Sequence, residues 1–316
     1  MKKLSRKMMI SLLAFVLAFV ALGASTYAWF TLADKAELSN LEMNVSLGEG
    51  LDISFDGVTY QSNLSKEAIE EKIGGKKLSD ITTTDGINFK NLAGDSSSEY
   101  IQLHLYFRAS GIDATKAANG VGVYLDSLNN DASYTTDKQT GTFVVSQGVE
   151  LDPTTSYRAE ADGELVDEAL KYYASDAIRV SFVEDESLLA LYDFNAKEGR
   201  NYNDGFVANA NKVDAEGLYG AASYYFAKQG KNVGVGAGTV ESTTLEFTEL
   251  TSEQNAMMAN NNNSLICNLE AGDDGFYYGE VTINIWIEGW DTDCFNVILT
   301  DKVMTQFSFA LGYKAE

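Results

Sequence analysis

Apolar and polar residues alternate with a period of two over most of the chain. Leu41, Met43, Val45 and Leu47 share one face of an extended segment, while Glu42, Asn44 and Ser46 take the other. Leu51, Ile53 and Phe55 resume the pattern. Asp56-Gly57 then predicts a hairpin turn leading to Val58 and Tyr60. Residues 100–109 predict a strand with Ile101, Leu103, Leu105 and Phe107 facing a core, and 121–125, 142–146 and 178–183 predict three more. Towards the end of the chain Val281, Ile283, Ile285 and Ile287 face one way, and Thr282, Asn284, Trp286 and Glu288 the other. Val303, Thr305, Phe307, Phe309 and Leu311 repeat the alternation. Joined by Glu288-Gly-Trp-Asp-Thr-Asp-Cys294, these last two strands are expected to be antiparallel neighbours.

Two stretches change period. Leu64, Ala68, Ile69 and Ile73 fall at helical spacing, with Ser65 as N-cap and Gly74-Gly75 as the stop. Residues 164–173 predict a second amphipathic helix lined by Leu165, Ala169 and Leu170. Residues 195–240 are rich in Gly, Asn and Ala and read as a variable insertion with one short strand at 223–227. Many short strands, few helices and no strand–helix–strand rhythm define an all-β protein. The expected fold is an antiparallel β-sandwich over 40–316 with short helices in its insertions.

The amino-terminal text is different. Lys2, Lys3, Arg6 and Lys7 precede a run from Met8 to Ala24 in which only Ser11 is polar, and small residues follow. This is the layout of a secretory signal. Thr26 and Ala28 suit the −3 and −1 positions of a peptidase, so residues 1–28 read as a signal peptide cut between Ala28 and Trp29. The alternative is a retained helix over residues 8–30. Both readings put the rest of the chain outside the cytoplasm, secreted or on the cell surface.

Charge narrows the partners. The chain holds 23 Lys and Arg against 46 Asp and Glu, a formal charge of −23, and removing residues 1–28 takes away four cations and no anions. Nucleic acid is excluded as a partner, since phosphate neutralisation needs clustered cations. With 17 Tyr and 16 Phe the chain is not a disordered tail. Carboxylates are left over for calcium, and two clusters are candidates: Asp273 and Asp274 with Glu270, and Asp291 with Asp293. Neither completes the standard calcium loop. Cys267 and Cys294 either form one disulfide or stay as two free thiols.

Catalytic motifs are missing. The single histidine, His104, lies on the predicted strand opposite Leu103 and Leu105, and no nucleophile elbow, paired-histidine zinc motif or phosphate loop occurs. Gly234, Gly236 and Gly238 alternate without a strand-to-helix unit around them and make no nucleotide cradle. The expectation is a non-enzymatic protein without a cofactor other than calcium. Trp29-Phe30 becomes the first pair of the mature chain, an extended apolar end suited to strand donation.

At this junction the residues resemble a known family. Ala24-Ser-Thr-Tyr-Ala-Trp-Phe-Thr31 is similar to the SipW-dependent signal peptides of Gram-positive bacteria, which carry TasA-like proteins including camelysin. Gln306-Phe-Ser-Phe309 resembles the closing strand of the TasA-like jelly roll, and Ile285–Cys294 is similar to surface proteins sharing that signal. The resemblance implies a jelly-roll-like sandwich and an extracellular matrix fibre built from copies of this chain. Residues 29–39 would be donated to the next subunit, with Trp29, Phe30 and Leu32 in the contact and signal peptidase as the processing partner. Asp34, Lys35 and Glu37 interrupt the apolar pattern of that donor. The protease activity described for camelysin does not carry over, because the histidines for an ordinary zinc site are missing. The alternative function is an adhesin or carbohydrate-binding module meeting a glycan or host surface through aromatic loops around Tyr202, Phe206, Tyr219 and Trp290.

Overall fold

The structure is a computed structural model. It describes residues 36–45, 50–91, 94–126, 128–136, 139–151, 170–195, 248, 264–289, 291, 294 and 296–314. Ala28, Trp29, Phe30, Leu32, Tyr202, Phe206, Tyr219, Trp290 and Asp293 fall outside these, as do most of the 195–240 insertion and the predicted strand at 223–227. Among the described residues no helix is long and apolar enough to cross a membrane.

The chain enters the fold through β1 (Ala36–Val45), then β2 (Leu51–Ser54) and β3 (Asn63–Leu64). Helix α1 (Lys66–Ile73) follows as its local code dictates. The Ser65 hydroxyl accepts from the Ala68 N–H at 3.2 Å, Glu67 sits in the first turn, and Gly74 ends the helix at φ +63°. Ile69 and Ile73 turn inward. Next come β4 (Lys77–Leu78), β5 (Asp80–Thr83), β6 (Phe89–Asn91), β7 (Ile101–Ala109), β8 (Val121–Leu125) and β9 (Phe143–Ser146). A separate ribbon pairs β10 (Val149–Leu151) with β11 (Leu170–Tyr172). The chain closes with β12 (Ile178–Glu184), β13 (Ser187–Tyr192), β14 (Leu265–Ala271), β15 (Tyr277–Glu288) and β16 (Lys302–Tyr313).

Fourteen of these strands form one large, mostly antiparallel sheet that curls back on itself. One half holds β13, β12, β15, β7 and β2, with β5 and β6 at the end of β15. The other holds β8, β16 and β1, with β9 beside β16. The halves face each other as in a sandwich. Phe107 meets Phe309 edge-on with ring centres 5.2 Å apart, and Phe182 meets Phe307 at 5.9 Å. Ile101, Leu103, Leu105 and Phe107 are buried as the alternation requires.

Strand β14 is the corner. It pairs with β15 only at Glu270–Tyr278 and Ala271–Tyr277, then leaves it and pairs with β8 through Leu265–Leu269.

Several expectations are corrected. Strands β15 and β16 are not neighbours but lie in opposite halves. A 3₁₀ turn at Asn296–Thr300 interrupts their connection, and β15 is apolar or buried on both faces from Ile283 onward, so alternation alone could not assign its partner. The end of the second predicted helix, Leu170–Tyr172, is a strand. Pairing with β10 overrides its helical spacing, and residues 164–169 lie outside the described ones. Val58 belongs to an exposed loop rather than a returning strand, and only the Ile53–Gln61 bridge closes that hairpin. Strand β1 runs parallel to β16 over Glu37–Val45, so its first residues, part of the expected donor segment, pair within their own sheet.

On its other side β1 meets β4 at Ala36 and Glu37 and β3 at Met43 and Asn44. Helix α1 links those two short strands and packs on β1, covering an edge that would otherwise be open to pairing.

Candidate binding groove

The register of β7 on β15 assembles a row of side chains on the outer face of the sheet. His104 stands opposite Thr282, Tyr106 opposite Glu280, and Arg108 opposite Tyr278. Strand β2 adds Asp52 opposite Arg108, and the Arg108 Nη2 donates to Asp52 Oδ2 at 2.7 Å. The same guanidinium lies 4.5 Å from the Tyr60 ring centre and 4.9 Å from that of Phe276, a cation held between two aromatic faces. The Tyr278 hydroxyl donates to Asp274 Oδ2 at 2.6 Å, and this bond, with one from the Phe276 N–H, holds the Asp274 carboxyl below its ordinary range. His104 contacts Thr282 Oγ1 through Nδ1 at 3.1 Å and Glu280 Oε2 through Nε2 at 3.4 Å, and sits edge-on to Tyr106.

A groove of about 620 Å³ opens where β14 peels away from β15. Tyr60, Tyr106 and Tyr278 supply its aromatic walls. Gly279 lets the two strands pass closely, since a Cβ there would come within 2.2 Å of the Asn268 carbonyl oxygen. Glu184, the last residue of β12, reaches across and accepts from the Asn268 backbone N–H at 2.6 Å and from its side-chain amide. Asp185 and Glu186 make the β12–β13 turn with φ of +47° and +60°, the paired left-handed geometry of a tight hairpin, and this places Asp185 at the groove wall. Glu270 and Glu280 add two more carboxylates, with Lys314 as the one cation among the described lining residues. Their field is felt beneath. Burial pushes the Cys267 thiol well up, and Glu184, Glu280 and Asp185 push it further.

The other expected site residues have structural work. Asp273 is exposed, and Asp274 has both oxygens engaged by the turn that joins β14 to β15. Asp291 is buried and paired with Arg179, which is itself 2% exposed and also meets Asp193 at 3.0 Å. Glu288 joins this cluster and accepts from the Trp286 indole N–H at 3.2 Å. Burial disfavours the Arg179 charge, but Asp193, Asp291 and Glu288 more than offset that. Among the described residues no group of three or more His, Cys, Asp or Glu side chains is placed to hold a metal ion. The disulfide is not formed. Cys267 and Cys294 are separate buried thiols, the second pushed up by burial and by Asp80, Asp291 and Glu288.

Arg179 and Arg108 escaped the reading of the sequence. Arg179 is a lone cation inside the apolar run Ile178–Val183, and a buried charge of that kind demands partners. Arg108 and Tyr106 occupy the same alternating positions as His104, so the outward face of β7 was already written as one row.

Compared with known proteins, the chain matches no family model, no curated protein and no solved structure. The TasA-like resemblance therefore rests on the residues quoted for it.

Proposed function

We propose that this protein is an exported, non-enzymatic surface protein that binds a glycan in the groove at the β14–β15 corner. The observation carrying this reading is the pairing of aromatic walls, Tyr60, Tyr106 and Tyr278, with a ring of carboxylate acceptors in one open cavity. Tyrosine faces take the flat apolar side of a sugar ring, and carboxylates accept its hydroxyls. The signal peptide over residues 1–28 and the jelly-roll-like path belong to this same reading.

Turnover is not part of it. His104 touches a hydroxyl and a carboxylate on an exposed strand, and no nucleophile motif accompanies it in the sequence.

Fibre assembly by strand donation, the other expectation, needs a vacant acceptor edge. The outer edge of β1 is covered by β3, α1 and β4, and β16 is flanked by β1 on one side and by β9 and β8 on the other. Neither is that acceptor.

Calorimetric titration of the exported protein against a panel of soluble polysaccharides tests the proposal. At least one should bind, and Tyr106→Ala should weaken it about tenfold or more, the scale of a lost aromatic anchor. Binding that survives Tyr106→Ala and Tyr60→Ala together places the ligand elsewhere.

A further inference from the structure

We infer that the groove selects a glycan carrying free amino groups, a polymer of amino sugars, over neutral or acidic glycans; this rests on the reading of the groove as a glycan site. Among the described residues Glu184, Asp185, Glu270 and Glu280 line the cavity against Lys314 alone of the formal cations. Lys314 is displaced to one end, its side chain lying over Gly120 and its backbone N–H donating to the Gly120 carbonyl at 3.0 Å. Both oxygens of Glu184 are engaged by Asn268, whereas Glu270 and Glu280 are exposed, Glu280 with one oxygen 3.4 Å from His104 Nε2.

The aromatic walls point the same way. The tyrosine faces are negative at their centres and attract a cation within about 6 Å. The wall already demonstrates this chemistry, since Arg108 is held between Tyr60 and Phe276 beside the cavity. An ammonium on a pyranose ring meets both demands: a flat face for tyrosine and a positive charge for the carboxylates. A neutral N-acetylated ring keeps the stacking and the hydroxyl contacts but loses the charge. An acidic ring meets repulsion, with the whole chain at −23 adding to it.

The test uses the exported protein and matched hexasaccharides, glucosamine hexamer and N-acetylglucosamine hexamer, in calorimetry at pH 6. The amine form is expected to bind about tenfold or more tightly than the acetylated form, and to weaken as salt is raised. Glu270→Gln with Glu280→Gln should lower affinity for the amine form about tenfold and for the acetylated form by much less; both residues are exposed, and an unaltered melting temperature confirms the fold. Equal binding of the two hexamers overturns the amine preference and leaves the glycan reading standing. Failure of both hexamers while a neutral polysaccharide binds overturns the inference alone. Failure of every glycan overturns the underlying reading. Hexalysine is the control for bare charge, and if it binds as tightly as the glucosamine hexamer and loses as much in the double variant, the site reads charge without sugar and the inference falls.

Discussion

Two turns in this protein are spelled almost alike. Ser54-Phe-Asp-Gly57 follows β2, and Thr83-Thr-Asp-Gly86 follows β5. In each the hydroxyl donates to the aspartate Oδ1, at 2.8 Å from Ser54 and 3.0 Å from Thr83. In each the hydroxyl oxygen accepts from the aspartate and glycine N–H groups. In each the same Oδ1 accepts from the next two N–H groups: Val58 and Thr59 in one, Ile87 and Asn88 in the other. The glycines sit at φ +69° and +72°. What differs is the surroundings. Val58 in the first turn is 80% exposed, while the Gly86 carbonyl of the second accepts from the buried Ser181 hydroxyl at 2.6 Å and from Asn284 at 3.4 Å. Short-range hydrogen bonding writes the shape of a turn, and burial sets how much stability rides on it.

The sharpest test removes the two aspartates. Asp85→Ala strands the buried Thr83 hydroxyl and several N–H donors, and should cost about 2–3 kcal/mol in urea unfolding. Asp56→Ala, whose freed donors meet water, should cost clearly less. Equal losses would break the comparison.

Next in size is a pH effect at the start of β5. Burial raises the Asp80 carboxyl from 3.8 to about 6, against a weaker pull from the Ser79 hydroxyl. The protonated form is favoured in the folded state. The stabilising contribution is therefore complete below pH 3.8 and is lost as pH rises through 6. Asp80→Asn should be more stable than the native protein above pH 6 by up to about 2 kcal/mol, with the difference vanishing below pH 3.8. Asp56 and Asp85 act with the opposite sign. Backbone N–H bonds, chiefly from Thr59 and Val58, hold Asp56 well below the carboxylate range, and at Asp85 the bonds led by Asn88 outweigh burial. Their contributions are lost only as pH falls below 3.8. A denaturation series from pH 3 to 8 on the single variants separates the two signs.

Ser181→Ala should cost about 1 kcal/mol, adding fully to Asp56→Ala but less than fully to Asp85→Ala, since it shares the Gly86 loop with the latter. The smallest effect is expected from writing Thr-Thr-Asp-Gly-Ile-Asn over residues 54–59. If the local code is sufficient, unfolding free energy should change by less than about 0.5 kcal/mol.

These turns also show where a sequence is readable. Helix α1 was legible to its caps because Ser65, Glu67 and Gly74 act within a few residues of one another. The inward face of β7 was legible because alternation is local. The partner of β15 was not, since strand order depends on residues far apart and β15 is buried on both faces. The groove was illegible for the same reason. Tyr60, Tyr106, Tyr278 and Glu184 come from four separate parts of the chain and meet through the β7–β15 register and the β14 corner.

The parallel alignment of β1 with β16 has a mechanical consequence. Tension on the chain ahead of Ala36, directed along β1, loads the ladder from Glu37–Lys302 to Val45–Phe309 in shear, so its bonds resist together instead of unzipping one at a time. A surface protein tethered through that end would hold its grip under flow until the whole seam slips at once.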